Sequence, residues 1–418
     1  MFISWEYLSS MEGENSRARR ERSAAVSSSG PTVDCSATTE YTKRFLQNDG
    51  DRADFRSGLS QWLAPVLRNA GWIGILAYHC HPVPIPVAAM KKIAAILLLV
   101  LFTTPSLSHS QEMNIPDQLD HNQEINVPDH LIHDQELTDA LQDIVAKLGL
   151  DQTFDIGEYG TETISFAVID LNSAEPRIGG VYMDNLIYPA SVYKIYVAAE
   201  VLNQVSQGQY GLFDPIAVTS PNDVDQRMSL RHDLREVPRD GDTLTVHYLL
   251  DLMITTSSNT AANVMIDLAT REKINELIHH FGWHGSEVTR KFLPRRFEDP
   301  GYEEIRGTET CALHAADFLY RIYTNQLVNP WVSQQMMTLL GRQLDKSKLA
   351  AGLPGDAMFY HKSGWWSYWT NDTGIVDDGH TRFVIAAFLP IRQEDALPKF
   401  RQLADEVFRL MQARSESE

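Results

Sequence analysis

The chain has 418 residues, 43% of them hydrophobic and 22% charged, with a formal net charge of −19. Beyond residue 110 the imbalance is sharper, 46 Asp and Glu against 25 Lys and Arg, which argues against nucleic acid and anionic membrane surfaces as partners. Charge of this kind says nothing about the fold.

The first recognisable element lies ninety residues in. Met90 is followed by Lys91 and Lys92, a ten-residue apolar run from Ile93 to Phe102, and the small residues Ser106 and Ser108. A basic start, a short apolar stretch and small residues are the plan of a secretory signal, and the stretch is too short for a membrane span of about 20 residues. Residues 1–89 are polar and aperiodic in places ("SAAVSSSGPTVDCSATTE") and fit no clear element. The expectation is a true start at Met90, with 1–89 an over-long, unstructured reading frame and 90–110 a signal peptide. The mature protein is then secreted or periplasmic, with no stable membrane span. Of Cys35, Cys80 and Cys311, only Cys311 remains after cleavage, so neither an internal disulfide nor a cysteine metal cluster is expected.

Residues 111–136 read as an acidic linker. Within it "NIPDQLDHNQEI" is repeated as "NVPDHLIHDQEL", and its histidines, His121, His130 and His133, read as polar spacer residues. Two copies are too few for a solenoid.

The packed domain is expected over 137–415. "LTDALQDIVAKLGL" has helical spacing. "ISFAVIDL" and "RIGGVYM" read as strands joined by the turn "NSAEP". A helix opens after Pro189 in "YPASVYKIYVAAEVL", and the middle of the domain is helical: "LTVHYLLDLMITT", "TAANVMIDLAT" and "REKINELIHHFG". After a loop-like stretch from Arg290 to Thr308 come two more helices. The strands "AMFYHKSG", "WTNDTGIVDD" and "TRFVIAAFLP" follow, and a closing helix, "ALPKFRQLADEVFRLMQAR". Strands at both ends and helices between them predict an α+β fold: one antiparallel sheet built from both ends, flanked by terminal helices, with an inserted all-helical lobe. The crevice between the lobes is the natural place for a site.

Three short motifs fall at element boundaries. Ser191-Val192-Tyr193-Lys194 opens a helix, where residues three apart share a face. A neutral lysine there can take the serine's proton, and a free backbone N–H at the helix start can bind an oxyanion. Ser257-Ser258-Asn259 lies between two helices and can aim a hydroxyl and an amide into a cleft, although Ser and Asn are also ordinary turn residues. Lys362-Ser363-Gly364 ends a strand, where glycine admits a ligand close to the backbone and the lysine offers charge to a carboxylate. Taken singly, each also reads as an ordinary cap, turn or strand end.

In this order the three are the motif set of class A β-lactamases and penicillin-binding proteins. The chain from about Leu137 onward resembles that penicillin-recognising serine hydrolase family, and "SSNTAANVMID" extends the likeness to the class A branch. The resemblance implies a β-lactamase/transpeptidase-like fold and an acyl-enzyme at Ser191, with Lys194 as general base or relay. It implies that Ser257 hands a proton to the leaving nitrogen and that Asn259 binds the substrate's side-chain amide. Lys362 and Ser363 would hold its carboxylate, and the N–H groups of Ser191 and Trp365 would form the oxyanion hole. It implies no cofactor and no metal. The expected partner is a small-molecule substrate, a β-lactam or a peptidoglycan-like peptide, and the expected state is a monomer.

The pattern departs from class A in the loop whose glutamate activates the deacylating water. Arg296-Phe297-Glu298 resembles the start of that loop, which makes Glu298 the candidate, but Asp299 follows in place of proline, and Glu303 and Glu304 are rivals. Ser258 stands where class A has aspartate, a change expected to loosen the turn. Class A-like β-lactam hydrolysis is therefore the first reading. A peptidase-like or other amide or ester hydrolase, or a slowly turning over penicillin-binding protein, is the alternative.

Overall fold

A computed structural model describes residues 126–173, 175–225, 235–298 and 307–416, all within a unit running from Asn122 to Glu418. The expected leader segments 1–89 and 90–110 lie outside the described residues, as does most of the expected linker.

In chain order the first elements are β1 (Ile132–His133), α1 (Gln135–Lys147) and a small hairpin of β2 (Phe154–Asp155) with β3 (Thr161–Glu162). Then come β4 (Ser165–Asp170) and β5 (Arg177–Val181). The helical part comprises α2 (Lys194–Ser206), α3 (Val246–Thr255), α4 (Asn259–Ala269), α5 (Arg271–His280), α6 (Ala312–Tyr323) and α7 (Pro330–Leu340). A short ribbon of β6 (Pro215–Ala217) and β7 (Thr243–Thr245) interrupts it. The chain closes with β8 (Met358–Trp366), β9 (Trp369–Asp377), β10 (Arg382–Leu389) and α8 (Gln393–Ser415).

The main sheet has the order β1-β5-β4-β10-β9-β8, so strands from both ends of the domain meet at the β4–β10 pair. The pairs are antiparallel except β1 with β5, which run parallel. Every residue of β4 is buried, and all but the first of β10. These strands are covered on both faces, which is why they read as apolar runs and not as alternating ones.

One face of the sheet packs on α1 and α8, through Leu137, Leu141, Phe166, Val168, Phe383, Phe400 and Leu403. Each such fully buried side chain contributes roughly 1.5–3 kcal/mol. The other face packs on the helical lobe, where Tyr196, Trp283 and Phe318 are buried beside Ala167, Ile169 and Ala386. The first helix starts where Asp134 caps it by accepting from the Leu137 N–H at 3.0 Å. Arg414 on α8 then ties both ends of the domain together, donating to Asp134 at 2.6 Å and Asp170 at 3.0 Å.

The packed domain therefore begins earlier than residue 137, a correction to the expected linker boundary. Leu131 is buried, β1 joins the sheet edge, and His130 reaches Asp317 at 2.6 Å while stacking on Tyr320. His130 is thus part of the packing and not a spacer residue. Cys311 is buried at the start of α6, and burial pushes its thiol up to about 12.

Candidate active site

The segment leading to Ser191 is fixed from the sheet. Asn371 on β9 donates from Nδ2 to the Tyr188 carbonyl at 3.1 Å, while its Oδ1 accepts from the Leu389 N–H. After Pro189 the chain passes through Ala190 at φ 47°, a left-handed conformation that a non-glycine residue adopts only under constraint. Ala190–Tyr193 then form a tight 3₁₀ turn, and the α-helix itself starts at Lys194. The helix expected from Pro189 onward is thus 3₁₀ over its first turn.

Gly364 shows how closely strand β8 approaches this turn. A Cβ there would lie 2.6 Å from the Pro189 carbonyl oxygen and 2.9 Å from the Ser191 nitrogen. Only glycine lets the strand lie flat on the serine-bearing turn. This brings Ser191 and the neighbouring Trp365, the two residues of the expected oxyanion hole, to one place.

Lys194 is wholly buried and not a surface lysine. Its Nζ contacts the Ser257 carbonyl at 2.6 Å, Ser257 Oγ at 3.1 Å and Asn259 Oδ1 at 2.9 Å. Lys362 is equally buried and reaches the same Ser257 Oγ at 3.0 Å and its own neighbour's carbonyl, Ser363 O, at 2.5 Å. Two amines thus converge on one hydroxyl away from water. Burial first, and Lys362 second, hold Lys194 well below the usual lysine range, and burial brings Lys362 down to about 7. A neutral amine next to a serine hydroxyl can accept and pass on a proton.

Ser257 holds its place through an unusual backbone, φ 62°, between α3 and α4. The turn is not loosened by having Ser258 in place of aspartate. Asp225, on a loop 33 residues upstream, supplies the missing carboxylate: its Oδ2 accepts from Ser258 Oγ at 2.7 Å and from the Thr260 N–H at 2.9 Å. Ser258 Oγ in turn caps α4 by accepting from the Ala261 N–H at 3.0 Å. Nothing in the sequence around Ser257 points to Asp225; its only signal is an acid in the polar stretch "SPNDVD".

Ser363 is buried, and its hydroxyl donates to Asp345 at 2.9 Å. Asp345 also accepts from Ser347 and pairs with the buried Lys348, which holds its carboxyl far below the usual range despite burial. Of the four aromatics after Lys362, Trp369 is buried against Tyr188 and Tyr159. Trp365 and Trp366 are about half exposed, and Trp366 faces the Arg296 guanidinium.

Glu298 does not join this cluster. Its carboxylate is gripped by Arg295 through Nε at 2.8 and 2.9 Å and through a terminal nitrogen at 2.7 Å, with Lys291 4.0 Å away. Arg295 is itself held by Asp267 and Asn222. The Arg295 hydrogen bonds keep the Glu298 carboxyl below its ordinary range, and 43% of the side chain faces solvent. Glu303 and Glu304 lie outside the described residues.

The residue that meets Lys194 from this loop is Phe292. Its ring centroid is 4.3 Å from Nζ, and it stacks on Tyr193 at 4.7 Å. Asn263 on α4 fixes it, accepting from the Phe292 N–H at 2.8 Å and donating to its carbonyl at 3.3 Å.

A profile of the β-lactamase enzyme family matches residues 139–410. No curated protein matches the chain. Among solved structures, a β-lactamase from Sphaerobacter thermophilus DSM 20745 is similar at 18% identity, covering 65% of this chain and 97% of that one, with a TM-score of 0.54. A leucine-to-glutamate mutant of PBP-A, as an acyl-enzyme complex with penicillin G, is similar at 19% identity over 66% and 97%, TM-score 0.55. The class A β-lactamase of the last common ancestor of Gram-negative bacteria matches at 25% identity over 65% and 99%, TM-score 0.54. With the fold, the buried lysine pair and this match agreeing, the chain belongs to the β-lactamase enzyme family and is a serine hydrolase acting on amide bonds.

Proposed function

We propose that the chain forms an acyl-enzyme at Ser191 with β-lactams or peptidoglycan-like peptides. The observation that carries this reading is the convergence of two buried lysine amines on the Ser257 hydroxyl. Ser191 Oγ attacks the amide carbonyl carbon and loses its proton to neutral Lys194. The oxyanion rests on the N–H groups of Ser191 and Trp365, preorganised donors that need no rearrangement as charge develops. Ser257 gives its proton to the leaving nitrogen as the C–N bond breaks, and takes one back from Lys194. The ester on Ser191 remains.

Lys362 and Ser363 hold the substrate carboxylate. Asn259 has its Oδ1 engaged by Lys194, so its amide nitrogen is the group for the substrate's side-chain carbonyl. Asp345 orients the Ser363 hydroxyl. Export belongs to the same proposal. The signal-like segment after Met90 supports a mature protein that acts in the periplasm or outside the cell, and a monomer is the state proposed with it.

A fluorescent penicillin tests the reading. Wild type should be covalently labelled, and Ser191→Ala should not. Labelling that survives in Ser191→Ala overturns the assignment.

A further inference from the structure

We propose that Arg296 is a specificity-determining residue: its guanidinium, held between two exposed aromatic rings at the mouth of the cleft, takes an anionic group on the acyl side chain of the substrate. The inference rests on the acyl-enzyme reading above. It goes beyond that reading by naming the kind of side chain the site prefers.

Strand β8 fixes where Arg296 stands. Alternate residues of a strand share one face. On this face Lys362 reaches Ser257 Oγ, and a Cβ on Gly364 would meet the Pro189 carbonyl and the Ser191 nitrogen. Trp366 is the next residue on that face and the last of the strand, where it pairs with Trp369. At about 3.3 Å per residue it lies roughly 7 Å beyond Gly364. The Arg296 guanidinium carbon is 5.9 Å from the centre of the Trp366 ring and 4.4 Å from that of Phe297. The loop that carries Arg296 is anchored at the same site, because Phe292 meets Lys194 at 4.3 Å and the turn Leu293–Phe297 follows directly. The electrostatics agree. Burial raises the Tyr188 hydroxyl, and the charges of Arg290 and Arg296 oppose that rise, so both stand near the segment that leads to Ser191.

The direction of the substrate follows from the same strand. Its carboxylate lies at Lys362 and Ser363, and its reacting carbonyl at Ser191 and the Trp365 N–H. Continuing along β8 in that sense leads to Trp366 and Arg296. The group that extends past the carbonyl, away from the leaving nitrogen, is the acyl side chain.

Arg295 and Arg296 are adjacent but differ in use. Arg295 is buried and spends its donors on Asn222, Asp267 and Glu298. Arg296 is half-buried, and among the described residues no carboxylate pairs with it. Its two rings are open to solvent, Phe297 at 56% and Trp366 at 42% exposure, so a ligand can reach the guanidinium between them. Aromatic faces steady a guanidinium by its charge and leave its N–H donors for a planar anion such as a carboxylate.

The test is stopped-flow acylation by benzylpenicillin and carbenicillin, which differ by a carboxylate on the acyl side chain. The ratio of their second-order rate constants, carbenicillin over benzylpenicillin, cancels general effects on Ser191. Arg296→Gln should lower this ratio about threefold to tenfold, the range expected for losing a charge-assisted contact at a partly exposed site. Arg296→Glu, which puts a like charge there, should lower it further. Arg296→Lys, with the charge but not the planar fork, should fall between wild type and Arg296→Gln. A wild type that acylates, with a ratio unchanged in Arg296→Gln, overturns this inference alone. So does an equal loss for both penicillins, because the arginine would then only brace the loop. Failure of wild type to acylate with either penicillin overturns the acyl-enzyme reading and this inference with it.

Discussion

Replacing Asp225 by alanine removes the carboxylate that braces the Ser257 turn from a distant loop. Two buried donors lose their acceptor, Ser258 Oγ–H and the Thr260 N–H. Each unsatisfied buried group costs about 1–3 kcal/mol. Part of this is returned, because Asp225 Oδ1 has no hydrogen-bond partner among the described residues and its charge is no longer buried. A net loss of about 3 kcal/mol lowers the melting temperature of a domain this size by roughly 6–12 °C. The same change should slow acylation, since Lys194 is oriented by Ser257 and Asn259 on that turn. Asp225→Asn separates the two effects. It keeps an acceptor oxygen and should regain most of the melting temperature. It also removes a negative charge that favours protonated Lys194, so the rise of second-order acylation with pH should move to lower pH. Thermal melts and stopped-flow acylation across pH read both outcomes. An Asp225→Ala protein that melts and acylates like wild type would refute the bracing argument.

Gly364→Ala should cost about 1–3 kcal/mol by overpacking, because its Cβ meets backbone atoms of Pro189 and Ser191 that cannot move aside cheaply. A displacement of that turn should slow acylation by as much as about 10²-fold, measurable with a chromogenic cephalosporin. Lys362 gives the pH dependence a falling limb. Second-order acylation by a carboxylate-bearing β-lactam should drop as pH rises through about 7, where the buried amine loses its charge, and stopped-flow rates would show it. The same lysine stays protonated in the unfolded chain up to about 10.4. Between these values the unfolded state binds more protons, so its contribution to stability rises with pH, and Lys362→Met should abolish that rise in urea titrations. Glu298→Gln should leave the adduct lifetime unchanged, because Arg295 holds that side chain away from the cluster; a longer lifetime by intact mass would restore Glu298 as the base.

Much of this was legible in the sequence because the informative residues sit at element boundaries. Ser191 and Ser257 lie where helices begin or end, and the apolar runs of β4 and β10 announce strands covered on both faces, whereas Lys362-Ser363-Gly364, read as a strand end, lies within β8, which runs on to Trp366 as it pairs with β9. The terminal helices were visible from their periodicity. What escaped depends on contacts between distant segments. Asp225 lies 35 positions from Thr260, and no spacing rule connects an acid in a polar loop to a turn elsewhere. Phe292 was hidden by a better-looking neighbour. An Arg-x-Glu triplet drew the reading to Glu298, whereas the residue beside Lys194 is chosen by the side chain of Asn263, 29 positions away. Strand β1 is only two residues long, too short for any period to show, so the linker reading ran past it.

Peptide mapping of the wild-type protein after brief exposure to penicillin tests the central claim most directly. The account predicts one added acyl mass, on the peptide containing Ser191, in an amount that rises to one per chain. No adduct, or an adduct on a peptide without Ser191, would contradict it.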